Sequence, residues 1–477
     1  MRMHKRIETA LRLGSLSALL LAAGCDLTEK PKSILAPENF YQTQEDAVSG
    51  VTGVYESLMG LYAWFFYLSE LPSDDYVVSP GAGGDMHQLS QYNFTPTLWV
   101  LGANWGDSYR TINRANAVLD RIPAINMPEA VKARLLGEAR FLRALTYFNL
   151  VRMYGDVPLI DREVKSLAEA VVARTPAEQV YALIVSDLEQ AIQALPTRDQ
   201  YGAADLGRAS KGAAQALLAK VYLERKDYTN AARLAGEVIN SGKYRLLADW
   251  KDNFRIALEF SNSESIFEID YDREKTWGTW YLLFALPSNV PGGDAYGLLS
   301  PSPELVALFS EGDERGNGGT FIYPGWKDAR GRTWNWTQPS GPAFNKQLDE
   351  TSPNNMESRG WSALNNNWIV LRYADVLLTY AEAVAEGGAA TAGSAEQRLN
   401  EVRVRAGAAP VSGLSPAALR QEIRNERRRE FVFEGHRWFD LRRWGLLRSV
   451  KNAPSEFFPL PQSEIDLNPK LVQNSGW

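Results

Sequence analysis

The chain has 477 residues, 45% hydrophobic and 23% charged, with a formal net charge of −6. That is the make-up of an ordinary globular protein, and the mildly acidic balance offers no basic surface for nucleic acid. The single cysteine excludes an intramolecular disulfide and a cysteine metal site, and the three histidines, His4, His87 and His436, are too dispersed for a histidine zinc site.

The chain opens on a basic stretch, Arg2, His4, Lys5 and Arg6, followed by an apolar run from Leu13 to Ala23. This predicts a signal peptide over residues 1–24, too short for a comfortable membrane span. Its end, Leu21-Ala22-Ala23-Gly24-Cys25, is similar to a bacterial lipobox, with Ala22 where a larger aliphatic is usual. Cys25 is then expected to be the lipidated first residue of the mature protein. The alternative is a plain secretory signal with an incidental cysteine. Acyl chains gain about 0.8 kcal/mol per buried methylene, so several of them hold a globular domain at a membrane. Residues 25–36, with Pro31 inside and Pro37 just after, read as an extended tether to a single domain over 37–477.

The domain reads as mainly α, a tetratricopeptide-like scaffold of helical pairs. Helices are predicted over 42–60, over 104–122 with Ile112, Ala115, Val118, Leu119 and Ile122 on one face, and over 128–154 opened by Pro128. Another spans 176–195, with Thr175 as the expected cap and Glu178 three residues on. Residues 208–225 and 228–241 form a helical hairpin, in which Ala219 and Tyr222 face Ala231 and Ala235. Ala144 and Tyr147 repeat the small-to-aromatic spacing earlier, and 372–386 with 393–406 makes a later pair carrying Ala381 and Ala395. The bland alternative is ordinary helix packing with alanine at the close contacts.

The scaffold, about 37–244 and 366–450, is interrupted over roughly 245–365 by a stretch rich in Gly, Pro, Asn and Trp. A shorter loop-rich stretch runs from about 70 to 103. Irregular segments this long usually serve a function. The two are expected to converge on one face. In the C-terminal part, Glu426, Glu430 and Glu434 follow i, i+4 spacing among Arg427, Arg428 and Arg429. That pattern reads as helix charges paired locally and with neighbours rather than as catalytic carboxylates. Glu138, Arg140 and Arg143 are likewise expected to pair between helices, and Trp438, Asp440 and Trp444 to form a packed corner.

Several segments in order resemble the SusD/RagB family: Gly53-Val54-Tyr55, Tyr109 to Asn116, Gly137 to Ala144, Tyr154 to Leu159, Arg372 to Leu378 with Glu382-Ala383, Glu426 to Gly435, Arg437 to Leu441, and the ending Pro459-Leu460-Pro461, Glu464-Ile465 and Asn468-Pro469. The resemblance implies an outer-membrane, surface-exposed lipoprotein. Such a protein binds an oligosaccharide without catalysis and delivers it to a SusC-like TonB-dependent transporter. It touches the membrane through its lipid alone. Some relatives handle peptides or other nutrients. Calcium is sometimes seen in relatives, but no Asp-rich loop here matches an EF-hand, and no cofactor or metal is expected. A glycoside hydrolase would need two carboxylates flanking a cleft, and no hydrolase, metalloprotease or phosphate-loop motif is present.

Sugar rings have apolar faces edged by hydroxyls, which suit aromatic faces flanked by polar groups. The loop aromatics are therefore the ligand candidates: Trp99, Trp277, Trp280, Tyr281, Tyr296, Trp326, Trp334, Trp336 and Trp361. The resemblance adds Asp74 and Asp75, in a Ser-Asp-Asp segment at the edge of the family's site. For each ring the competing role is local loop packing. Trp105, beside Tyr109 on its helix, is expected to pack internally.

Overall fold

The first helix of the domain, α1 (Gln44–Ser69), starts with a capping box: the Asp46 amide donates to Thr43 Oγ1 at 3.1 Å, and the Thr43 amide donates to Asp46 Oδ2 at 2.9 Å. The computed structural model describes residues 40–271, 281–288, 295–352 and 365–477. After α1 come strand β1 (Tyr76–Val78), a short helix α2 (Gly84–Gln91), α3 (Trp99–Arg121) and α4 (Glu129–Tyr154). The frame continues with α5 (Ala177–Ala194), α6 (Lys211–Glu224) and α7 (Tyr228–Asn240). Helix α4 follows Pro128 as expected, and from Leu135 onward nearly every side chain is buried, so it is the central helix of this half.

Successive helices pack on one another: α1 on α3, α3 on α4, α4 on α5, α5 on α6 and α6 on α7. This is the expected arrangement of helical pairs. The α6–α7 hairpin closes over Ala219, Ala231 and Ala235, all buried. Gly236 on α7 faces the later helices so closely that a Cβ there would meet Thr391 Oγ1 at 2.4 Å.

Two predicted boundaries move. Helix α1 continues nine residues past 60 to Ser69, because Leu61, Tyr62, Phe65, Phe66 and Leu68 are buried against later parts of the chain. Helix α5 takes no cap from Thr175; the Ala177 amide instead donates to Asp156 Oδ1 at 2.8 Å. The cap is thus supplied across 21 residues.

The loop-rich excursion is bracketed by strands β2 (Ser265–Ile269) and β6 (Trp368–Arg372), paired antiparallel with Trp368 opposite Ile269 and Arg372 opposite Ser265. Between them lie β3 (Leu299–Pro301) and a small hairpin, β4 (Trp326–Lys327) and β5 (Thr333–Trp334). The frame resumes with α8 (Tyr373–Ala385), α9 (Ala395–Arg405), α10 (Pro416–Phe431) and α11 (Arg437–Arg443). Helix α8 packs on α7, and both α9 and α10 pack on α8.

Buried ion pairs join the excursion to α10. Arg315 reaches Asp313 at 2.8 Å, Glu426 at 2.6 Å and Glu430 at 2.6 Å; Arg372 reaches Glu264, Glu430 and Glu434; Lys346 reaches Glu434 at 2.6 Å. With Arg403, Arg405, Arg429 and Glu422 the network closes on itself, each cation matched by a carboxylate. Burial raises the Glu430 carboxyl, but Arg405, Arg372 and Arg315 together hold it well below its ordinary value. The glutamates of α10 are therefore structural charges, as their spacing suggests. Of the charges expected to pair farther upstream, Glu138 meets Arg208 and Arg143 meets Asp187, both at 2.8 Å, while Arg140 joins neither pair.

Candidate functional site

The two loop-rich stretches meet through β1 and β3, which pair antiparallel with Tyr76 opposite Pro301 and Val78 opposite Leu299. The Ser79 amide extends the ladder to the Leu298 carbonyl at 2.8 Å. Next to it, a short helical turn at Tyr281–Ala285 holds the 295–298 strip, with Tyr296 donating to the Leu283 carbonyl at 2.9 Å and Leu298 to that of Phe284 at 2.8 Å. Gln338 arrives from a third segment: its side chain accepts from Ser79 Oγ at 3.2 Å and its carbonyl from the Ser288 amide at 3.0 Å. Gly297 has a φ of 61°, and a Cβ there would stand 2.4 Å from the Gln338 carbonyl oxygen, so only glycine lets the three segments close together.

This junction carries a continuous aromatic band. Trp99, the first residue of α3, stands edge-on to Trp64 (centroids 5.0 Å apart) and to Tyr67 (5.7 Å). Tyr67 meets Phe284 at 6.2 Å, and Phe284 lies 5.8 Å from Tyr296 at an interplanar angle of 32°. The middle of the band, Tyr67 and Phe284, is buried, while its ends are open: Trp99 is 45% exposed and Tyr296 36%. Carboxylates pin both tryptophans. The Trp99 indole donates to Asp85 Oδ2 at 3.1 Å and the Trp64 indole to Asp107 Oδ2 at 3.0 Å. Burial, with Asp85 adding, pushes the Tyr67 hydroxyl up, so it stays neutral. Fixed apolar faces bordered by carboxylates and by the Arg110 side chain, itself paired with Asp107, are suited to flat rings edged with hydroxyls.

The structure sorts the other candidates differently. Tyr281 is 2% exposed; it stacks on Phe66 and against Trp368, and its hydroxyl donates to Gln347 Oε1 at 2.6 Å, so it is a core residue. Trp334 is 0% exposed, packed edge-on to Trp326 across the β4–β5 hairpin with its indole donating to Asp328 Oδ2 at 3.0 Å. Trp336 is also buried and donates to the Gly341 carbonyl. These three rings present no face to solvent, because short irregular segments need large side chains as their own core. Trp326 is half-buried and keeps an accessible edge.

Asp74 and Asp75 are taken up by arginines. Asp74 accepts two bonds from Arg437, at 2.7 and 2.8 Å, and the buried Asp75 accepts from Arg428 Nε at 2.6 Å. Burial raises the Asp75 carboxyl overall; for Asp74 burial is outweighed by Arg437 and Arg428, and its carboxyl is lowered. Both clamp the β1 segment to α10 and α11 rather than opening toward a ligand. Trp277, Trp280, Trp361 and Cys25 lie outside the described residues.

Sequence reading missed Trp64, Tyr67 and Phe284 as parts of the band. The available signal was the aromatic run Trp64-Phe65-Phe66-Tyr67 at the end of α1, of which two rings turn inward and two support Trp99. Trp105, as expected, packs internally against Tyr109 and Tyr154, each at 5.1 Å. Trp438 is likewise buried, and the Trp444 indole donates to Glu382 at 2.7 Å. Among the described residues, no group of three or more His, Cys, Asp and Glu side chains is placed to hold a metal ion. No helix among them is long and apolar enough to cross a membrane.

Comparison with known proteins identifies the lineage. Residues 317–457 match a family described as the SusD family, and residues 66–223 one described as starch-binding associating with outer membrane. SusD-like protein P2 of Formosa agariphila is 30% identical over 501 residues, covering 96% of this chain and 96% of its own. A laminarin binding SusD-like protein superposes with a TM-score of 0.78 at 28% identity, over 92% of this chain and 100% of its own. Surface glycan-binding protein A from Bacteroides uniformis gives 0.76 at 27% identity, over 91% and 100%. The matches at both ends of the fold, and a relative aligned along nearly the whole length, show that the chain belongs to the SusD family.

Proposed function

We propose that this protein binds an oligosaccharide at the cell surface, without catalysis, and passes it to a SusC-like TonB-dependent transporter in the outer membrane. The observation that carries the reading is the aromatic band, whose open ends, Trp99 and Tyr296, are held rigid by buried rings and by Asp85. Preset rings cost little entropy when a ligand lands on them. The names of two structural relatives, laminarin binding and glycan-binding, support a carbohydrate ligand. Trp326 and the loop tryptophans Trp277, Trp280 and Trp361 are proposed to extend the contact. Cys25 supplies the lipid anchor, and residues 25–36 the tether.

Titration calorimetry against laminarin- and starch-derived oligosaccharides tests the ligand. Binding that Trp99→Ala and Tyr296→Ala both weaken supports the proposal. Unchanged affinity in both, together with Trp277→Ala and Trp280→Ala, refutes the aromatic site, and release of shortened sugars would make the protein an enzyme. For delivery, the protein co-expressed with the transporter encoded beside it should co-purify as a complex. A protein that stays monomeric there overturns the partnership.

A further inference from the structure

Deep in the helical frame, where α4, α6, α8 and α11 come together, lies an interior cavity of about 50 Å³. Its walls include Arg152, Asn149, Lys220, Thr379 and His436. The charges around it pair off with one exception. Lys220, Arg427 and Arg443 are matched by Asp375, Glu382 and Asp440, and Arg442 by Glu224. Glu434 also lines the cavity, but it belongs to the balanced network around Arg372 and Lys346.

Arg152 is left over. It is buried, and among the described residues no carboxylate lies within ion-pair distance of it. Its guanidinium is sandwiched between the rings of Phe148 and Phe439, at 3.9 and 3.8 Å, and donates to the side-chain oxygen of Asn149 at 2.6 Å. Ring faces, the Asn149 amide oxygen and the Phe148 carbonyl, which accepts from Arg152 Nε at 3.2 Å, ease a buried cation but leave its full charge uncancelled. Facing the same cavity, the buried Thr379 hydroxyl has no hydrogen-bond partner among the described residues.

We infer that this cavity is a binding site for one small inorganic anion of halide size, held by the Arg152 guanidinium and the Thr379 hydroxyl. The volume suits such an ion, for which a space of about 10–15 Å³ is the minimum even for one water. Arg152 carries its charge at neutral pH, because burial lowers it only to about 10. Burial also lowers Lys220, and Asp375, 2.6 Å away, works against that. The Asp375 carboxyl, raised by burial, is brought far below its ordinary value by Lys220, His436 and Arg427. His436, pushed down to about 3 by burial, is neutral and adds no charge. The ion would join the N-terminal helices, through Arg152 on α4, to the C-terminal ones, through Thr379 on α8, and so lock the two parts of the frame.

The test uses the unmodified protein. Crystals soaked in sodium bromide, with diffraction recorded at the bromine edge, should show an anomalous peak in the cavity touching Arg152 and Thr379; water alone there overturns the site. In solution, bromide replacing gluconate at constant ionic strength should raise Tm by roughly 3 °C once the site is filled a hundredfold over its dissociation constant. An equal Tm in both salts contradicts the inference. Arg152→Met should abolish the halide response. Should that variant fail to fold, Thr379→Val is expected to reduce the response, and the anomalous peak decides the matter independently.

Discussion

Replacing Trp99 by alanine is the most direct probe of the aromatic band. A tryptophan buries up to about 250 Å², and 45% of Trp99 is open in the ligand-free protein. That leaves roughly 110 Å² of ring surface, of which a sugar ring on one face would cover about half. At about 25 cal/mol per Å² the contact contributes on the order of 1.4 kcal/mol, a tenfold change in Kd. Trp99→Ala should therefore weaken oligosaccharide binding about tenfold, measured by calorimetry, with Trp99→Phe recovering part of the loss. The exposed half of the ring is what the ligand uses; the covered half packs on Trp64 and Tyr67, so thermal unfolding must be followed in parallel. A loss below about twofold in a protein that remains folded would refute the argument, because it corresponds to about 0.4 kcal/mol, far less than a sugar covering half of the open ring surface should contribute.

Trp334→Ala should behave in the opposite manner, destabilising the β4–β5 hairpin by about 3–5 kcal/mol in denaturant titrations while leaving the affinity at Trp99 within twofold, since its ring is enclosed. Arg315→Met strips one cation from Asp313, Glu426 and Glu430 and should cost about 3–5 kcal/mol of stability by the same measurement. Glu70 has its carboxyl pushed up to about 8 by burial, against Tyr76 and Gly435, which lower it. A raised folded pKa means the native state holds a proton that the unfolded state releases near 4.5, so stability should fall as pH rises from about 5 to 8, and Glu70→Gln should flatten that slope. At the acid end Asp440 works in reverse. Burial raises it, but Arg427 and Arg443 bring it down to about 2, so its contribution is present above its ordinary value and lost as pH falls toward 2. A thermal-shift series across pH reads both limbs.

Much of this protein was legible from local patterns alone. The helices over 128–154, 208–225 and 228–241 follow from apolar periodicity and from Pro128 and the small residues at close contacts, and the structure places them within a few residues of those bounds. The spacing of Glu426, Glu430 and Glu434 pointed to paired structural charges, and their partners are arginines and a lysine. What periodicity does not encode is which face of a ring ends up toward water when the segment is irregular. Trp334 and Trp99 are both tryptophans near turns, yet one is the core of its hairpin and the other an open platform. Likewise Asp74 and Asp75 acquire their role from Arg428 and Arg437, more than 350 residues away. Helix formation is driven by neighbours three and four positions apart and can be read one segment at a time. The band of Trp64, Tyr67, Trp99, Phe284 and Tyr296 exists only because the β1–β3 pairing and Gly297 bring three distant segments into contact, which is a tertiary decision.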